Sequence, residues 1–266
     1  MSLVYLLGHP VAQSLSPAMH NAGFRALGLP HRYEALDVTA ALLPGVVGRI
    51  RSGEVLGANV TVPHKATAGG LADTLVDDAS RLGVVNTLVA RDGLVIGHNT
   101  DARGFEAANR ERGFIVMDRV LVLGAGGGAR AVVLALLRAG NTVLVAARDR
   151  SKADALVASV KDEEGASATA VDWDRTDELR YGALVNATPL GLHGEDPFGG
   201  AMLPRLVADI VPLASTPLLR RARSEGCDVM DGLGMLLQQA VLSFRVWTGR
   251  DAPVDVMRAA LYGSVG

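Results

Sequence analysis

The stretch Val120-Leu-Val-Leu-Gly124-Ala125-Gly126-Gly127-Gly128-Ala129-Arg130 reads as an apolar strand, a glycine turn and the start of a helix. It fits G-x-G-x-x-A, the pattern of a dinucleotide-binding turn. Gly124 permits the tight turn, Gly126 lets the backbone approach a pyrophosphate, and Ala129 keeps the helix close to the strand. The free N–H groups of the helix N-terminus face the anion. A glycine turn can also join strand to helix without any ligand, so the next strand carries the decision. Val143-Leu-Val-Ala-Ala147 ends without the acid that holds a ribose 2′-hydroxyl in NAD readers. Arg148, Arg150 and Lys152 follow, with Ser151 among them, and such cations suit the 2′-phosphate of NADP. Asp149 is the dissenting residue, because a carboxylate turned inward repels a phosphate.

Outward from this unit, apolar runs alternate with helical patterns. Strands are expected at 3–8, 32–37, 56–60, 84–90, 120–123, 142–146, 183–186 and 207–211, and helices at 17–27, 39–50, 101–112, 129–139, 151–160 and 217–225. Short Val/Leu runs separated by helices predict parallel strands buried on both faces. After Gly232 only helical pattern is present, at 235–247 and 254–261. One strand–helix series precedes about Gly104 and another follows it. No Ser/Pro-rich linker intervenes, so the helix at 101–112 is expected to join them.

With 266 residues, 49% hydrophobic and 20% charged, the chain has the makings of a large core and is not a disordered polymer. Its net charge of −2 implies no polycationic face for nucleic acid or anionic lipid. The single cysteine, Cys227, excludes an intrachain disulfide. No apolar run approaches the ~20 residues of a membrane helix, and the first residues lack the charged region of a signal peptide. The expectation is a soluble, cytoplasmic α/β protein.

The first half carries polar residues beyond what structure requires. In Gly8-His-Pro-Val-Ala-Gln-Ser14-Leu-Ser16-Pro17, Ser16 reads as a helix cap before Pro17. That leaves Ser14 unexplained, and two hydroxyls beside a helix N-terminus would also bind a carboxylate. In Asn59-Val-Thr61-Val-Pro63-His64-Lys65, Pro63 is expected to open a helix with Lys65 in its first turn, where a cation opposes the helix dipole. Only Lys65, Lys152 and Lys161 are lysines among the 26 basic residues. A chain that otherwise uses Arg for charge points, at Lys65, to an amine that exchanges a proton. Gly83-Val-Val-Asn86-Thr87 and Gly97-His-Asn99-Thr100-Asp101 place polar groups at a strand end and a helix start. Asn86 as a turn residue and Asp101 as a helix cap are sufficient local explanations of each taken alone.

Taken together, the segments resemble the shikimate dehydrogenase family. Its motifs stand here in the family's order as S-L-S-P-A-M-H-N, N-V-T-V-P-H-K, G-V-V-N-T, G-H-N-T-D, L-G-A-G-G-G-A-R-A, N-A-T-P-L-G, D-G-L-G-M-L-L-Q-Q-A and F-R-V-W-T-G, spanning nearly the whole chain. The resemblance implies an α/β fold of two lobes: an N-terminal substrate lobe and a Rossmann-type NADP-binding lobe, with C-terminal helices returning to the first. It places the substrate domain at 1–103 with 233–266, and the NADP domain at 104–232. The implied reaction is the reversible NADPH-dependent reduction of 3-dehydroshikimate to shikimate, on the route to chorismate and the aromatic amino acids. Ser14 and Ser16 would bind the substrate carboxylate, Thr61, Asn86 and Gln239 the ring hydroxyls, and Lys65 with Asp101 would form the catalytic pair. Gly124, Ala125, Gly126, Gly127 and Gly128 would hold the pyrophosphate, Arg148 with Lys152 the 2′-phosphate, and Arg150 and Ser151 would also belong to the cofactor site. Asp77, Ile210 and Gly232 would lie near the cofactor. The partners implied are a small-molecule substrate and neither nucleic acid nor membrane, in a monomer or homodimer.

One departure concerns Asp209-Ile-Val-Pro-Leu-Ala-Ser-Thr216, which is a residue shorter than the family's D-x-x-Y-x-P segment and has no Tyr. A second is Asp149, where the family often has Thr. The histidines 9, 20, 31, 64, 98 and 193 form no metal-binding grouping, and no metal is expected. His64 and His98 are read as bystanders. The rival functions are an NAD-dependent quinate/shikimate dehydrogenase, which Arg148 and Lys152 oppose, and a non-catalytic dinucleotide sensor, which the presence of both Lys65 and Asp101 opposes.

Overall fold

The computed structural model describes residues 2–113, 119–160 and 167–264, so Lys161 lies outside the described residues. The chain divides into two compact units, Met1–Thr100 with Leu237–Gly266, and Asp101–Leu236.

The first unit contains β1 (Ser2–Gly8), α1 (Ser16–Ala26), β2 (His31–Asp37), α2 (Leu43–Arg51), β3 (Val55–Val60), α3 (Lys65–Leu71), β4 (Thr74–Leu75), α4 (Asp78–Leu82), β5 (Thr87–Arg91) and β6 (Leu94–His98). Its six-stranded sheet runs β2-β1-β3-β5-β6-β4. Here the all-parallel expectation fails: β5 is antiparallel to both β3 and β6. The cause is Arg91-Asp92-Gly93-Leu94, where Asp92 (φ 51°) and Gly93 (φ 76°) build a tight hairpin turn of the Asp-Gly kind. The strand expected at 84–90 accordingly begins only at Thr87. Residues 84–86 instead cross between elements, with Val85 N–H donating to the Lys65 carbonyl at 3.0 Å.

The second unit begins with α5 (Asp101–Arg112) and continues through β7 (Arg119–Leu123), α6 (Gly127–Arg138), β8 (Thr142–Ala147), α7 (Arg150–Ser159), β9 (Ser167–Asp172), a 3₁₀ turn (Trp173–Glu178), β10 (Ala183–Asn186), β11 (Leu206–Asp209), α8 (Pro217–Ser224) and β12 (Asp228–Met230). Its sheet runs β12-β11-β10-β7-β8-β9 and every pairing is parallel, as the continuous Val/Leu runs predict. The strand order reverses beside β7, whose C-terminal end carries the glycine turn, and such reversals are where α/β sheets bind ligands. Helix α9 (Gly232–Thr248) carries the chain back to the first unit, and α10 (Val254–Gly263) packs against α1.

Each unit has its own core. Leu7, Leu43, Ile50, Val55, Val85 and Leu88 close the first, and Leu121, Leu123, Leu184, Val207, Leu218 and Leu219 the second. Truncating such a buried Leu to Ala costs about 2–5 kcal/mol. Among the described residues no helix is long and apolar enough to cross a membrane.

Candidate active site

In the first unit the motifs meet at Asn86, which is 2% exposed. Its side-chain oxygen accepts from Thr100 N–H at 2.9 Å and from the Thr87 hydroxyl at 2.9 Å. Its Nδ2 donates to Thr100 Oγ1 at 2.9 Å and, at a longer 3.5 Å, to Gln239 Oε1. Its backbone accepts from Val60 N–H and donates to the His98 carbonyl, so β3, β6 and Asn86 share one register. Asn86 is a bend residue just before β5, its backbone paired with Val60 and His98, and its side chain anchors a buried polar network.

That network runs deeper than the sequence indicates. Asn59 Nδ2 donates to the Asn86 carbonyl (3.0 Å), Thr87 Oγ1 (3.1 Å) and Ser243 Oγ (3.0 Å), while the Tyr33 hydroxyl donates to Asn59 Oδ1 at 2.9 Å. Ser243 also meets Thr87 at 2.8 Å and Thr100 at 3.2 Å. Asn59, Tyr33 and Ser243 were not singled out from sequence. Two signals could have found them: a polar Asn inside the apolar strand β3, and the four-residue spacing that puts Gln239 and Ser243 on one face of α9.

Lys65 is the first residue of α3, half-buried, so the helix starts two residues after Pro63 and not at it. Asp101 is the first residue of α5, is 5% exposed, and directly follows Thr100. Thr61 is half-buried beyond the end of β3, and its N–H donates to the Leu7 carbonyl at 2.8 Å. The structure corrects the reading of Ser16 as a helix cap. Ser16 is already helical and buried, no side chain caps α1, and it is Ser14 Oγ that accepts from Ser16 N–H at 3.3 Å. His64 is a brace: buried, its Nε2 donates to the Val38 carbonyl at 2.6 Å. Asp77 is exposed with φ 49°, and its Oδ2 stands 3.6 Å from His98 Nδ1. Burial lowers the His98 pKa from its ordinary value against the opposing pull of that carboxylate.

In the second unit the glycine turn has a surplus glycine. At Gly124 (φ 112°) an added Cβ would lie 2.8 Å from the Ala187 carbonyl oxygen, and at Gly128 2.8 Å from Ile210 Cδ1. At Gly232 it would strike the Val211 carbonyl oxygen at 2.0 Å, so Ile210 and Val211 are wedged between the turn and the start of α9. Gly126 differs, because it has ordinary φ and an added Cβ would enter open space. Among the described residues nothing requires glycine there, and the open backbone at the first turn of α6 leaves room for the close approach of a ligand. Ala125 and Gly127 flank it, half-buried. The turn therefore fits a dinucleotide pyrophosphate.

At the end of β8, Asp149 caps α7: its Oδ1 accepts from Ser151 N–H at 3.1 Å and Ser151 Oγ at 2.6 Å. The Ser151 hydroxyl bond, with the backbone bonds behind it, holds the Asp149 pKa below the usual carboxylate value. Arg150 is engaged by Asp172 at 2.5 Å and Asp154 at 3.2 Å, and Lys152 stands 3.7 Å from Asp149. Arg148 is exposed, and among the described residues no carboxylate pairs with it. Among the described residues no His/Cys/Asp/Glu group could hold a metal.

Comparison with known proteins finds relatives along nearly the whole chain. Residues 6–88 match the shikimate dehydrogenase substrate binding domain, and residues 232–262 the shikimate 5′-dehydrogenase C-terminal domain. The shikimate dehydrogenase (NADP(+)) of Rubrobacter xylanophilus is 45% identical over 276 residues, covering 98% of this chain and 96% of that protein. The chain belongs to the shikimate dehydrogenase family. A solved structure of the Thermus thermophilus shikimate 5-dehydrogenase, in complex with NADP(H) and shikimate, is 38% identical with a TM-score of 0.88, and the match covers 99% of this chain and all (100%) of that one. The quinate dehydrogenase of Corynebacterium glutamicum, in complex with NAD, is 33% identical with a TM-score of 0.90, covering 98% of this chain and 99% of that one. The same fold is thus shared by proteins solved with different cofactors, so the fold alone does not set cofactor choice.

Proposed function

We propose that the protein is an NADP-dependent shikimate dehydrogenase, reducing 3-dehydroshikimate to shikimate reversibly. The observation that carries this reading is the convergence of the N-V-T-V-P-H-K, G-V-V-N-T and G-H-N-T-D motifs on buried Asn86, with Lys65 and Asp101 at their ends. We assign substrate binding to 1–103 with 233–266 and cofactor binding to 104–232. Ser14 and Ser16 hold the carboxylate of the substrate, and Thr61, Asn86 and Gln239 its ring hydroxyls. Asn86 is fixed by its own hydrogen bonds before substrate arrives, which removes the ordering cost from binding.

NADPH, when bound, supplies the hydride that attacks the ketone carbon. The chain supplies the rest. As negative charge grows on the ketone oxygen, the Lys65 ammonium stabilises it and gives it a proton; in the oxidative direction the amine takes that proton back. Asp101 is the counter-charge of this pair. Gly124, Ala125, Gly126, Gly127 and Gly128 cradle the pyrophosphate. Arg148 binds the 2′-phosphate with Lys152, while Arg150 and Ser151 hold the start of α7 beside them; Asp77, Ile210 and Gly232 border the site. Asp149 Oδ1 is turned to Ser151 as a helix cap, and the exposed Arg148 beside it offers a cation to a 2′-phosphate, which favours NADP over NAD. We place the enzyme in the cytoplasm, as a monomer or homodimer.

The test is steady-state reduction of 3-dehydroshikimate with NADPH and with NADH, and oxidation of shikimate and of quinate with NADP and NAD. Preference for shikimate and NADP supports the reading. Faster turnover of quinate with NAD overturns it.

A further inference from the structure

We propose that Asp209 is a positioning residue for NADP(H), a buried side chain that holds both loops walling the glycine turn in their binding conformation. The inference rests on the cofactor reading above and extends it to a residue that touches no ligand.

Asp209 ends β11, is fully buried (0% exposed), and has three donors aimed at it. Oδ1 accepts from Val211 N–H at 3.0 Å and from Asn186 Nδ2 at 3.0 Å, and Oδ2 accepts from the Thr216 hydroxyl at 2.7 Å. Each donor fixes a different piece of chain. Asn186 ends β10; its Nδ2 also donates to the Leu190 carbonyl at 2.9 Å, and its oxygen accepts from Thr188 N–H and hydroxyl at 3.1 and 2.7 Å. This folds the N-A-T-P-L-G segment into a closed loop. Val211 and Thr216 bracket the loop after β11, with Thr216 also accepting from Leu219 N–H to start α8.

Both loops bear directly on the turn. The Ala187 carbonyl oxygen lies 2.8 Å from where a Cβ of Gly124 would be, and Ile210 Cδ1 lies 2.8 Å from that of Gly128. The two ends of the pyrophosphate turn are thus set by two loops, and the two loops by one carboxylate. An apolar side chain could fill the same space, but it could not accept from three buried donors. Since burial raises the Asp209 carboxyl pKa to about 6, the site retains a group that is costly to ionise there, which a purely space-filling role does not explain. The loop after β11 is also where the family Tyr is missing, and Asp209 ties its two ends through Val211 and Thr216.

The experiment measures NADPH dissociation constants by nucleotide fluorescence and the shikimate KM at saturating NADP, on the full chain at pH 8. Wild type that binds no NADPH would overturn the cofactor reading itself. Given wild-type binding, Asp209→Ala should weaken NADPH at least tenfold with shikimate KM within twofold. Asp209→Asn keeps an acceptor for Val211 and Asn186 and should recover NADPH affinity to within threefold of wild type. If Asp209→Ala does not fold, Thr216→Val, which removes one of the three donors, should weaken NADPH several-fold while Thr216→Ser does not. The proposal is overturned if folded Asp209→Ala, or Thr216→Val in its place, binds NADPH as wild type does. It is equally overturned if NADPH and shikimate weaken in parallel, or if Asp209→Asn is as impaired as Asp209→Ala.

Discussion

Replacing His20 with Phe should abolish a large part of the enzyme's acid sensitivity. His20 is fully buried on α1, stacked on Tyr33 at 4.4 Å and 14°, with Trp247 at 5.3 Å, and among the described residues neither ring nitrogen meets a hydrogen-bond partner. Burial lowers its pKa to about 3, against a smaller opposing pull from Asn59. A base whose folded pKa is depressed is neutral in the native state and protonated in the unfolded state over the whole interval between the two values. The unfolded state therefore binds the extra proton, and stability is present above pH ~6.5 and lost as pH falls below it, at about 1.4 kcal/mol per pH unit. By pH 5 the loss from this residue alone is about 2 kcal/mol, a large share of a typical 5–15 kcal/mol. Asp209 acts with the opposite sign. Its raised pKa lets the native state take up a proton first, so below pH ~6 it returns about 1.4 kcal/mol by pH 5.

The pH dependence of wild type alone thus mixes opposing contributions, and the difference between wild type and His20→Phe isolates one. Phe preserves the ring stack and removes the titrating nitrogens. Urea unfolding at pH 7.5 and pH 5.0, followed by Trp247 fluorescence in a Trp173→Phe background, reads the unit that contains His20, since the chain has only these 2 tryptophans. The stability lost between the two pH values should be about 2 kcal/mol smaller in the variant. A difference under about 0.5 kcal/mol, or a His20 ring that titrates near pH 6.5 in the folded protein by NMR, refutes the reasoning.

Lys65→Ala should lower kcat by about 10²–10⁴-fold with a much smaller change in shikimate KM, because its charge and proton matter most as the oxyanion develops; steady-state kinetics in both directions check this. Ser14→Ala and Ser16→Ala should raise shikimate KM. Since no side chain caps α1, Ser16→Ala should leave the thermal midpoint within a degree or so of wild type, where loss of a cap would lower it by several degrees. Arg148→Ala should raise the KM for NADPH by about tenfold or more and leave that for NADH nearly unchanged, since a charge-assisted bond contributes about 1.5–3 kcal/mol. Asp149→Ala should lower thermal stability through the lost helix cap without creating any preference for NADH, read by comparing kcat/KM for the two cofactors.

How far the sequence carried depended on whether a feature was local. The second sheet was legible at β7, β8, β10 and β11, where the strand is an apolar run rich in Val and Leu, and Ala183–Asn186 was placed to the residue. The first sheet was misread where one Asp-Gly turn reversed the chain into β6, which was passed over; β4 and β12 were missed because two or three residues carry no periodicity, and β9 because Ser-Ala-Thr-Ala-Val-Asp is no apolar run. The site divides in the same way. Glycines of the turn, the Lys among arginines and the motif polar groups stand out one at a time. The partners that make them a site do not, since Asn59 and Ser243 are 184 residues apart, and Asn186 and Asp209 meet only because parallel β10 and β11 end side by side.

What these hidden partners share is a position: Asn59, Asn186 and Asp209 each stand at or next to the C-terminal end of an apolar strand and are at most 4% exposed. A polar side chain there is costly unless its hydrogen bonds are complete, and in all three it is the loop beyond the strand, or the next strand, that completes them. The same groups that solve the burial problem therefore dictate loop shape. That links the cost of burying them to the geometry of substrate and cofactor recognition, and it explains why substitutions at residues that meet no ligand should move one binding constant and not the other.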